Sequence, residues 1–374
     1  MAWQGLGSDR QFKVLLLAVS ALSALVLLAV LVIVLSLGRG ESEETRTVGF
    51  ITLGDITQPG WNSTQYQGIK KACDSFGVRL MVKQHIAENS GLCPQAVREL
   101  VQEGAQMIFL ASYSYSAEVR DLVPTLPQTA FATNSAEVHA RNMTSYYVRM
   151  YEARYLAGAL AGLRTKSGVV GYVAAMKNSE VNRGINAFAL GVQRTNPQAR
   201  VAVLWTGHWQ DEQKEAENAR RLITEAGADV LTYHQDERAV ADTAEELGVD
   251  FISYHEALDG YSEHNLGAVL CRWDLYYADM VQRFLKGELN AVQNRWLGLA
   301  DGVVDLRLIS PALTPDLRQT IAALREELKE QFIVFSGELY DNQGVQRCAQ
   351  EESISDEALL ERTDYLLQGV YELE

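Results

Sequence analysis

The segment 147–191 constrains the fold more than any other, because it carries a helix on either side of a strand of unbroken apolar residues. Over 149–164, large apolar side chains recur at helical spacing with small residues between them, which predicts a helix that a second element approaches closely. The run 169–174 is continuously apolar, as is typical of a parallel strand buried on both faces. A second helix is predicted over 183–194. One α/β unit therefore ends before this segment and another begins inside it.

Strand-like and helix-like runs alternate in the same way along the rest of the chain. Strands are predicted at 48–53, 78–82, 106–110, 128–133, 144–148, 169–174, 200–206, 230–233, 250–253 and 266–270. Two such βαβ series predict an α/β protein with two parallel-sheet units, and ligands bind at the C-terminal ends of such strands. Asp301 and Gly302, between two short apolar runs, predict a β-hairpin, and a last helix is predicted over 356–367.

The apolar run 14–37 is uncharged and about 24 residues long, which is enough to span a bilayer. It lacks a small-residue cleavage site, which favours an uncleaved anchor over a signal peptide. Arg10 and Lys13 precede the run, so we expect a cytoplasmic N-terminus over 1–13 and an extracytoplasmic body. Residues 38–46 then form a polar tether. The predicted location is the cell membrane, crossed once.

Composition and motifs narrow the classes of function. The net charge of −15 argues against a nucleic-acid partner, because such proteins usually carry a basic patch. The four cysteines form no CxxC pair, and the sequence contains no Walker loop, G-x-S-x-G or H-E-x-x-H motif. His234 and His255 each follow a predicted strand and could act as a base or metal ligand, although isolated histidines there more often make simple polar contacts. We therefore predict no enzyme, no cofactor and no metal.

The signal for binding is an aromatic one. Aromatic residues recur where predicted strands end, and they are Trp61, Tyr113, Tyr115, Trp209 and Trp273. Aromatic faces hold a planar heterocycle well when polar groups contact its edge. The Asn62 amide offers a donor and an acceptor to a purine edge, and Asp55 offers an acceptor. The alternatives are that Trp61 is a core residue and that Asn62 is only the N-cap of a helix.

Three segments carry a resemblance to a known family. They read RYLAG at 154–158, GYVAA at 171–175 and RGINAF at 183–188. In this order they resemble the basic membrane protein family of substrate-binding proteins, which includes purine-nucleoside receptors of bacterial ABC transporters and a Med-type member. The resemblance extends over roughly 47–310. Arg154 and Arg183 open two of the segments, and we expect both to hold the scaffold.

The resemblance implies a type I periplasmic-binding-protein fold, in which two Rossmann-like lobes joined by three crossovers enclose a ligand cleft. On that pattern the first lobe comprises 47–165 and about 268–298. The second lobe comprises 166–267 and about 299–374.

The resemblance also implies a site. Asp55, Trp61 and Asn62 match the family's loop of the type Asp–aromatic–Asn, which helps to form the ligand pocket. The family's glycine-rich loop after the third strand is replaced by a segment that contains Tyr113 and Tyr115, which would narrow or reshape the pocket.

Further matches lie in the second half of the chain. The family's ribose-binding aspartate is replaced by His255, with Glu256 beside it, which makes a free base more plausible. Trp273 partly matches a tryptophan-rich segment of adenine-type members. Glu180 and Arg183 lie at the start of a helix, where they can contact a ligand or form an ion pair between the lobes.

These observations predict an extracytoplasmic solute-binding protein that closes by a hinge over a purine base or nucleoside and docks on an ABC permease. One alternative is a membrane-anchored sensor or regulatory protein that uses the same cleft. A nucleoside-processing enzyme is the other alternative, and the missing catalytic constellation argues against it.

Overall fold

The structure is a computed structural model, and it describes residues 46–374 except 59, 136, 137, 139, 289–294 and 331. Before residue 46 it describes 13, 14, 17, 19, 22, 23 and 25–30. The chain divides into two compact units, Met1–Arg46 and Thr47–Glu374, which are considered separately.

In the N-terminal unit, the described residues between 13 and 30 are helical. Their apolar side chains are exposed, with Leu17 at 70% and Leu27 at 69%. Within the described residues, no helix combines the length and the apolar character that crossing a membrane requires. Much of the predicted span 14–37, including all of 31–37, lies outside the described residues, as do 1–12 and 38–45. The span remains a prediction.

The first sheet has six strands, all parallel, in the order β11-β5-β4-β3-β1-β2. These are β1 (Thr47–Ile51), β2 (Arg79–Lys83), β3 (Met107–Leu110), β4 (Ala130–Thr133), β5 (Met143–Val148) and β11 (Arg295–Leu297). The helices between them are α1 (Trp61–Phe76), α2 (Leu92–Gln102) and the short α3 (Tyr115–Glu118). β1, β3 and β5 are buried along their whole length, as their apolar character predicts.

The second sheet has seven strands in the order β12-β10-β9-β8-β6-β7-β15, and only β12 runs antiparallel to its neighbour. These are β6 (Val169–Ala174), β7 (Arg200–Trp205), β8 (Val230–Tyr233), β9 (Asp250–Tyr254), β10 (Asn265–Cys271), β12 (Val304–Leu308) and β15 (Val370–Glu372). The predicted α/β architecture with parallel sheets is confirmed. The edge strand β15 was not predicted.

Seven further helices and a small hairpin complete the described body. The helices are α4 (Met150–Arg164), α5 (Ser179–Thr195), α6 (Glu212–Thr224), α7 (Ala239–Glu246), α8 (Trp273–Leu285), α9 (Pro315–Glu330) and α10 (Asp356–Glu361). The hairpin pairs β13 (Leu339–Tyr340) with β14 (Gln346–Cys348).

Helices α4 and α5 lie unusually close together, because glycines occupy their contact. A Cβ at Gly158 would lie 1.9 Å from the carbonyl oxygen of Phe188. A Cβ at Gly191 would lie 2.0 Å from that of Tyr155. The close approach predicted from the small residues of α4 is confirmed.

The chain passes between the sheets three times: after β5, after β10 and after β11. The first-lobe range 47–165 includes α4, which contacts α5, α9, β10 and β12 around the second sheet. The range from about 268 likewise includes the end of β10, which lies in the second sheet, whereas α8 packs on α1. The hairpin predicted at Asp301 and Gly302 is wrong, because β11 pairs with β5 and β12 with β10. The flanking runs belong to different sheets.

Candidate functional site

A cleft lies where the C-terminal ends of the two sets of strands face each other. The first sheet and its loops supply Leu53, Trp61, Ser112, Tyr113 and Asn134 to its lining. The second supplies Glu180, Trp209, His234, Asp236, Tyr254 and His255. The empty volume is about 470 Å³, counting the part open to solvent. The cleft lies where ligands bind in open parallel sheets, which is outside the C-terminal ends of the strands.

Trp61, the first residue of α1, is fixed in the cleft wall by several contacts. Its indole Nε1 donates to the carbonyl oxygen of Ala111 at 3.1 Å. Its ring meets Trp273 edge to face at 5.2 Å between centroids, and His255 at 4.9 Å. The indole is therefore held in one orientation before any ligand arrives.

The second sheet supplies a row of rings to the cleft. The centroids of Trp209 and His234 lie 6.0 Å apart, those of His234 and Tyr254 5.0 Å, and those of Tyr254 and His255 3.5 Å. With Trp61 and Tyr113 on the first-sheet side, aromatic side chains come from both halves. Such an arrangement suits a flat, partly apolar ligand.

Asp236 connects the two sides of the cleft. Its Oδ1 accepts a hydrogen bond from the backbone N–H of Trp61 at 3.2 Å. Burial raises the pKa of Asp236 to about 7, although the Trp61 N–H opposes the shift. Gly60 makes the approach possible, since a Cβ there would lie 2.7 Å from the backbone oxygen of Asp236.

Glu180 lies in the first turn of α5 and faces the cleft. Burial raises its pKa, and the nearby charge of Arg183 opposes that shift. The guanidinium of Arg183 donates to the carbonyl oxygen of Leu359 at 2.5 Å and to the Tyr147 hydroxyl at 3.2 Å. These contacts within the protein agree with the scaffold role expected for Arg183.

Both histidines of the cleft are buried and neutral at pH 7. Burial, with the charge of Arg154 as a smaller cause, lowers the pKa of His234 and of His255 well below the usual value. His234 Nδ1 lies 3.1 Å from the Tyr172 hydroxyl, whereas the buried Nδ1 of His255 has no hydrogen-bond partner among the residues that the structure describes. No cluster of three His, Cys, Asp or Glu that could hold a metal occurs in the described part of the chain.

Two predicted site residues stabilise the loop after β1 and do not line the cleft. The Asp55 carboxylate accepts hydrogen bonds from the backbone and the hydroxyl of Thr57 at 2.7 and 2.6 Å. Asn62 is buried, and its Oδ1 accepts from the Thr52 hydroxyl at 2.5 Å. Asn62 is not the N-cap of α1 either, because that position is Gly60.

Three others also lie outside the lining. Tyr115 is fully buried, and its hydroxyl donates to the carbonyl oxygen of Ile86. Glu256 follows the cleft residues, and its carbonyl oxygen accepts from Ser253 Oγ at 2.8 Å. Trp273 is buried behind the cleft wall. The predicted residues that do line the cleft are Trp61, Tyr113, Glu180, Trp209 and His255.

Sequence reasoning missed Asn134, Asp236 and Tyr254. Each lies at or within three residues of the end of a parallel strand. The rule that ligands bind at the C-terminal ends of such strands could therefore have identified all three. Asn134 and Asp236 are polar and so fall outside the aromatic set, whereas Tyr254 directly follows the predicted strand 250–253 and is missing from that set.

Two sheets of mostly parallel strands, with a cleft between their strand ends, are the architecture of the periplasmic-binding-protein fold. A solved transcriptional activator of the comK gene from Bacillus halodurans has the same fold, with a TM-score of 0.67, 22% identity, and coverage of 76% of this chain and 98% of that one. The chain belongs to the family described as ABC transporter substrate-binding protein PnrA-like, whose profile matches residues 45–342.

Two curated relatives are similar over most of their length. A purine-binding protein of Brucella abortus (strain 2308) is 28% identical over 333 residues, which cover 88% of this chain and 94% of that protein. A putative ABC transporter glucose-binding protein of Haloferax volcanii is 28% identical over 336 residues, covering 89% and 82%. The family is thus one of solute-binding proteins, and its relatives carry the names of different solutes.

Proposed function

We propose that the chain is the extracytoplasmic solute-binding protein of an ABC-type importer and that it binds a purine base or nucleoside in the cleft. The observation that carries the proposal is the Trp61 indole, fixed against Trp273 and facing a row of rings from the second sheet. A purine offers flat faces for such walls and polar atoms at its edge. The similarity to a protein named as purine-binding supports this ligand class.

Binding would proceed by closure of the two halves over the ligand. Arg149, beside the first crossing, donates its backbone N–H to the carbonyl oxygen of Leu297 at 2.7 Å, so two of the connections run side by side. Such a paired connection can bend as one hinge. The hydrogen bond from Trp61 to Asp236 then belongs to the closed form, which an ABC permease would recognise.

We further propose that residues 14–37 anchor the protein in the cell membrane with its body outside. The exposure of apolar side chains on the described helical residues supports an environment other than water for this segment. Protease added to intact cells should then remove the body and leave a short membrane-bound N-terminal fragment.

The experiment that tests the ligand is a thermal-shift screen of the full chain in mild detergent. The ligands are adenine, guanine, hypoxanthine, their nucleosides, and glucose. A ligand at a hundred times its Kd should add about 2.7 kcal/mol to the free energy of unfolding. Trp61→Ala should abolish the shift, whereas Trp205→Ala, which changes a tryptophan outside the cleft lining, should retain it.

Two outcomes would overturn parts of this proposal. If no purine raises the melting temperature while glucose does, the purine assignment is wrong and the cleft takes a sugar. If a purine binds but the liganded protein does not stimulate the ATPase of any ABC importer of its host, the cleft serves a membrane-anchored sensor instead.

A further inference from the structure

Arg154, in the second turn of α4, is a fully buried cation with unused donors. Its Nη1 lies 3.4 Å from the Thr232 hydroxyl, and its guanidinium carbon lies 3.7 Å from the centroid of the Tyr254 ring. Among the described residues, neither Nε nor Nη2 makes a hydrogen bond of regular geometry. The guanidinium does interact with the Tyr254 hydroxyl, where it opposes the rise in pKa that burial causes. A guanidinium stays charged at any physiological pH, and buried donors without acceptors are costly. This is more than the scaffold role expected from the sequence.

Arg154 lies outside the lining of the cleft described above and borders the space at its inner end. A smaller cavity there, with about 380 Å³ of empty volume including its open part, is bordered by Arg154 and by side chains that also line the cleft. The shared side chains are Trp61, Asn134, Glu180, His234 and Tyr254. A ligand between the aromatic walls therefore has one end beside Arg154.

The unpaired groups at this end include further donors. Asn134 is 4% exposed, and no described residue accepts a hydrogen bond of regular geometry from its Nδ2. Arg183 borders the same cavity, but its guanidinium already donates to Leu359 and Tyr147. Glu180 supplies an acidic group nearby, and burial raises its pKa. The inner end thus offers N–H groups to an acceptor that the protein itself does not supply.

The geometry of arginine restricts which acceptor fits. In a guanidinium, Nε and Nη2 point their hydrogens along one edge, and this fork pairs with two adjacent acceptors. The O6 and N7 atoms of guanine are such a pair, whereas adenine presents an amino donor beside N7. Adenine in the same position would set one donor against another and leave an N–H of Arg154 unpaired.

We propose that the inner end of the cleft takes the O6/N7 edge of a 6-oxopurine, which pairs with Nε and Nη2 of Arg154. This inference rests on the proposed purine-binding function and narrows it to guanine- and hypoxanthine-type ligands. The N9 side of the base then points away from Arg154.

Calorimetric titration of the full chain with hypoxanthine, guanine and adenine tests the proposal. The wild type should bind hypoxanthine about tenfold or more tightly than adenine, since a bidentate pair discriminates by roughly 1–3 kcal/mol and tenfold is 1.4 kcal/mol. Arg154→Lys keeps the charge but loses the fork, so it should remove this preference. Arg325→Lys is the matched control, because Arg325 uses Nε and Nη2 outside the cleft and should leave the preference unchanged.

A ligand-side test does not depend on any variant folding. The 7-deaza analogue of hypoxanthine lacks the N7 acceptor, and the wild type should bind it about tenfold more weakly than hypoxanthine. Equal affinity for both, or adenine binding as tightly as hypoxanthine, overturns the inference while purine binding stands. Equal loss of adenine and hypoxanthine affinity in Arg154→Lys also overturns it. If no purine binds, the proposed function fails together with it.

Discussion

Asp236 is partly buried and makes a hydrogen bond across the cleft. Its titration makes the free energy of unfolding depend on pH. Its pKa rises from 3.8 to about 7 on burial. Between these values the folded protein holds a proton that the unfolded chain releases, so the free energy of unfolding falls as pH rises through that window. The slope for one proton is at most about 1.4 kcal/mol per pH unit.

Asp236→Asn should flatten this dependence. An asparagine keeps an oxygen that can accept from the Trp61 N–H, but it has no charge to bury. We expect the melting temperature of the variant to fall less than that of the wild type between pH 4.5 and 7.5. Some slope should remain, because burial also raises the pKa of Glu215 to about 7.

The control for this series is Asp55→Asn. The pKa of Asp55 is lowered by its hydrogen bonds to Thr57, which is the opposite direction, so removing this carboxylate should not reduce the slope. A slope for Asp236→Asn identical to that of the wild type would contradict the assignment of a buried, protonated Asp236.

The sequence predicted a site residue correctly only where its place after a strand was enough to put its side chain in the cleft. Trp61 follows a parallel strand and opens a helix, and it lines the cleft as the strand-end rule implies. Asn62 is its neighbour in α1, yet its amide oxygen accepts a hydrogen bond from Thr52 in the loop after β1. The pairing of a short polar side chain depends on local loop geometry, which the spacing of residues does not reveal. The unpaired donors of Arg154 likewise become visible only when its three-dimensional neighbours are known.

At the scale of elements, the contact between α4 and α5 depends on the absence of side chains at its closest points. Gly158→Ala would place a methyl group 1.9 Å from the carbonyl oxygen of Phe188, which the two helices can accept only by moving apart. Overpacking of this kind costs roughly 1–3 kcal/mol or more. Denaturant unfolding should show a loss of that size.

Gly184→Ala, on α5, is the matched control. The nearest atom to its Cβ would be Cε1 of His234 at 3.4 Å, which is an ordinary contact distance. Alanine is the better helix former by roughly 1 kcal/mol, so this variant should be as stable as the wild type or more stable. If both substitutions changed the free energy of unfolding equally, the close contact between the helices would not be the reason for a glycine at position 158.

The elements themselves were largely predictable, but their assignment to a sheet was not. Continuous apolar runs identified most strands of both sheets, because strands buried on both faces need no polar residues. The return of α8 and β11 to the first sheet depends on contacts between residues far apart in sequence. Trp273 packs against Gly68, where a Cβ would lie 2.6 Å from the Cβ of Trp273. Neither residue indicates the other in a single sequence.

At the scale of the whole molecule, the proposed closure depends on how near α1 can come to the loop after β8. Gly60 has a φ of 124°, and a Cβ there would lie 2.7 Å from the backbone oxygen of Asp236. Gly60→Ala should therefore keep the halves apart. Small-angle scattering should show no ligand-induced compaction, and ligand affinity should fall about tenfold or more, since the closed form supplies half of the contacts.

Gly104→Ala is the control that distinguishes the effect of backbone strain from the effect of a Cβ that collides with Asp236. Gly104 also has a positive φ, of 95°, but a Cβ there would have nothing within 4 Å. This variant should lose some stability and keep normal compaction and affinity. Normal closure in Gly60→Ala would show that the halves need not meet at this point.

Because β11 lies late in the sequence, the first sheet cannot be completed until most of the chain has been synthesised. The outer edge of β5 is paired by β11, which follows it by about 150 residues. At ribosomal speeds of about 5–20 residues per second, that edge stays uncovered for roughly 8–30 s after it is made. Unpaired edges can pair with strands of other chains, so the nascent chain is exposed to aggregation until β11 has been made.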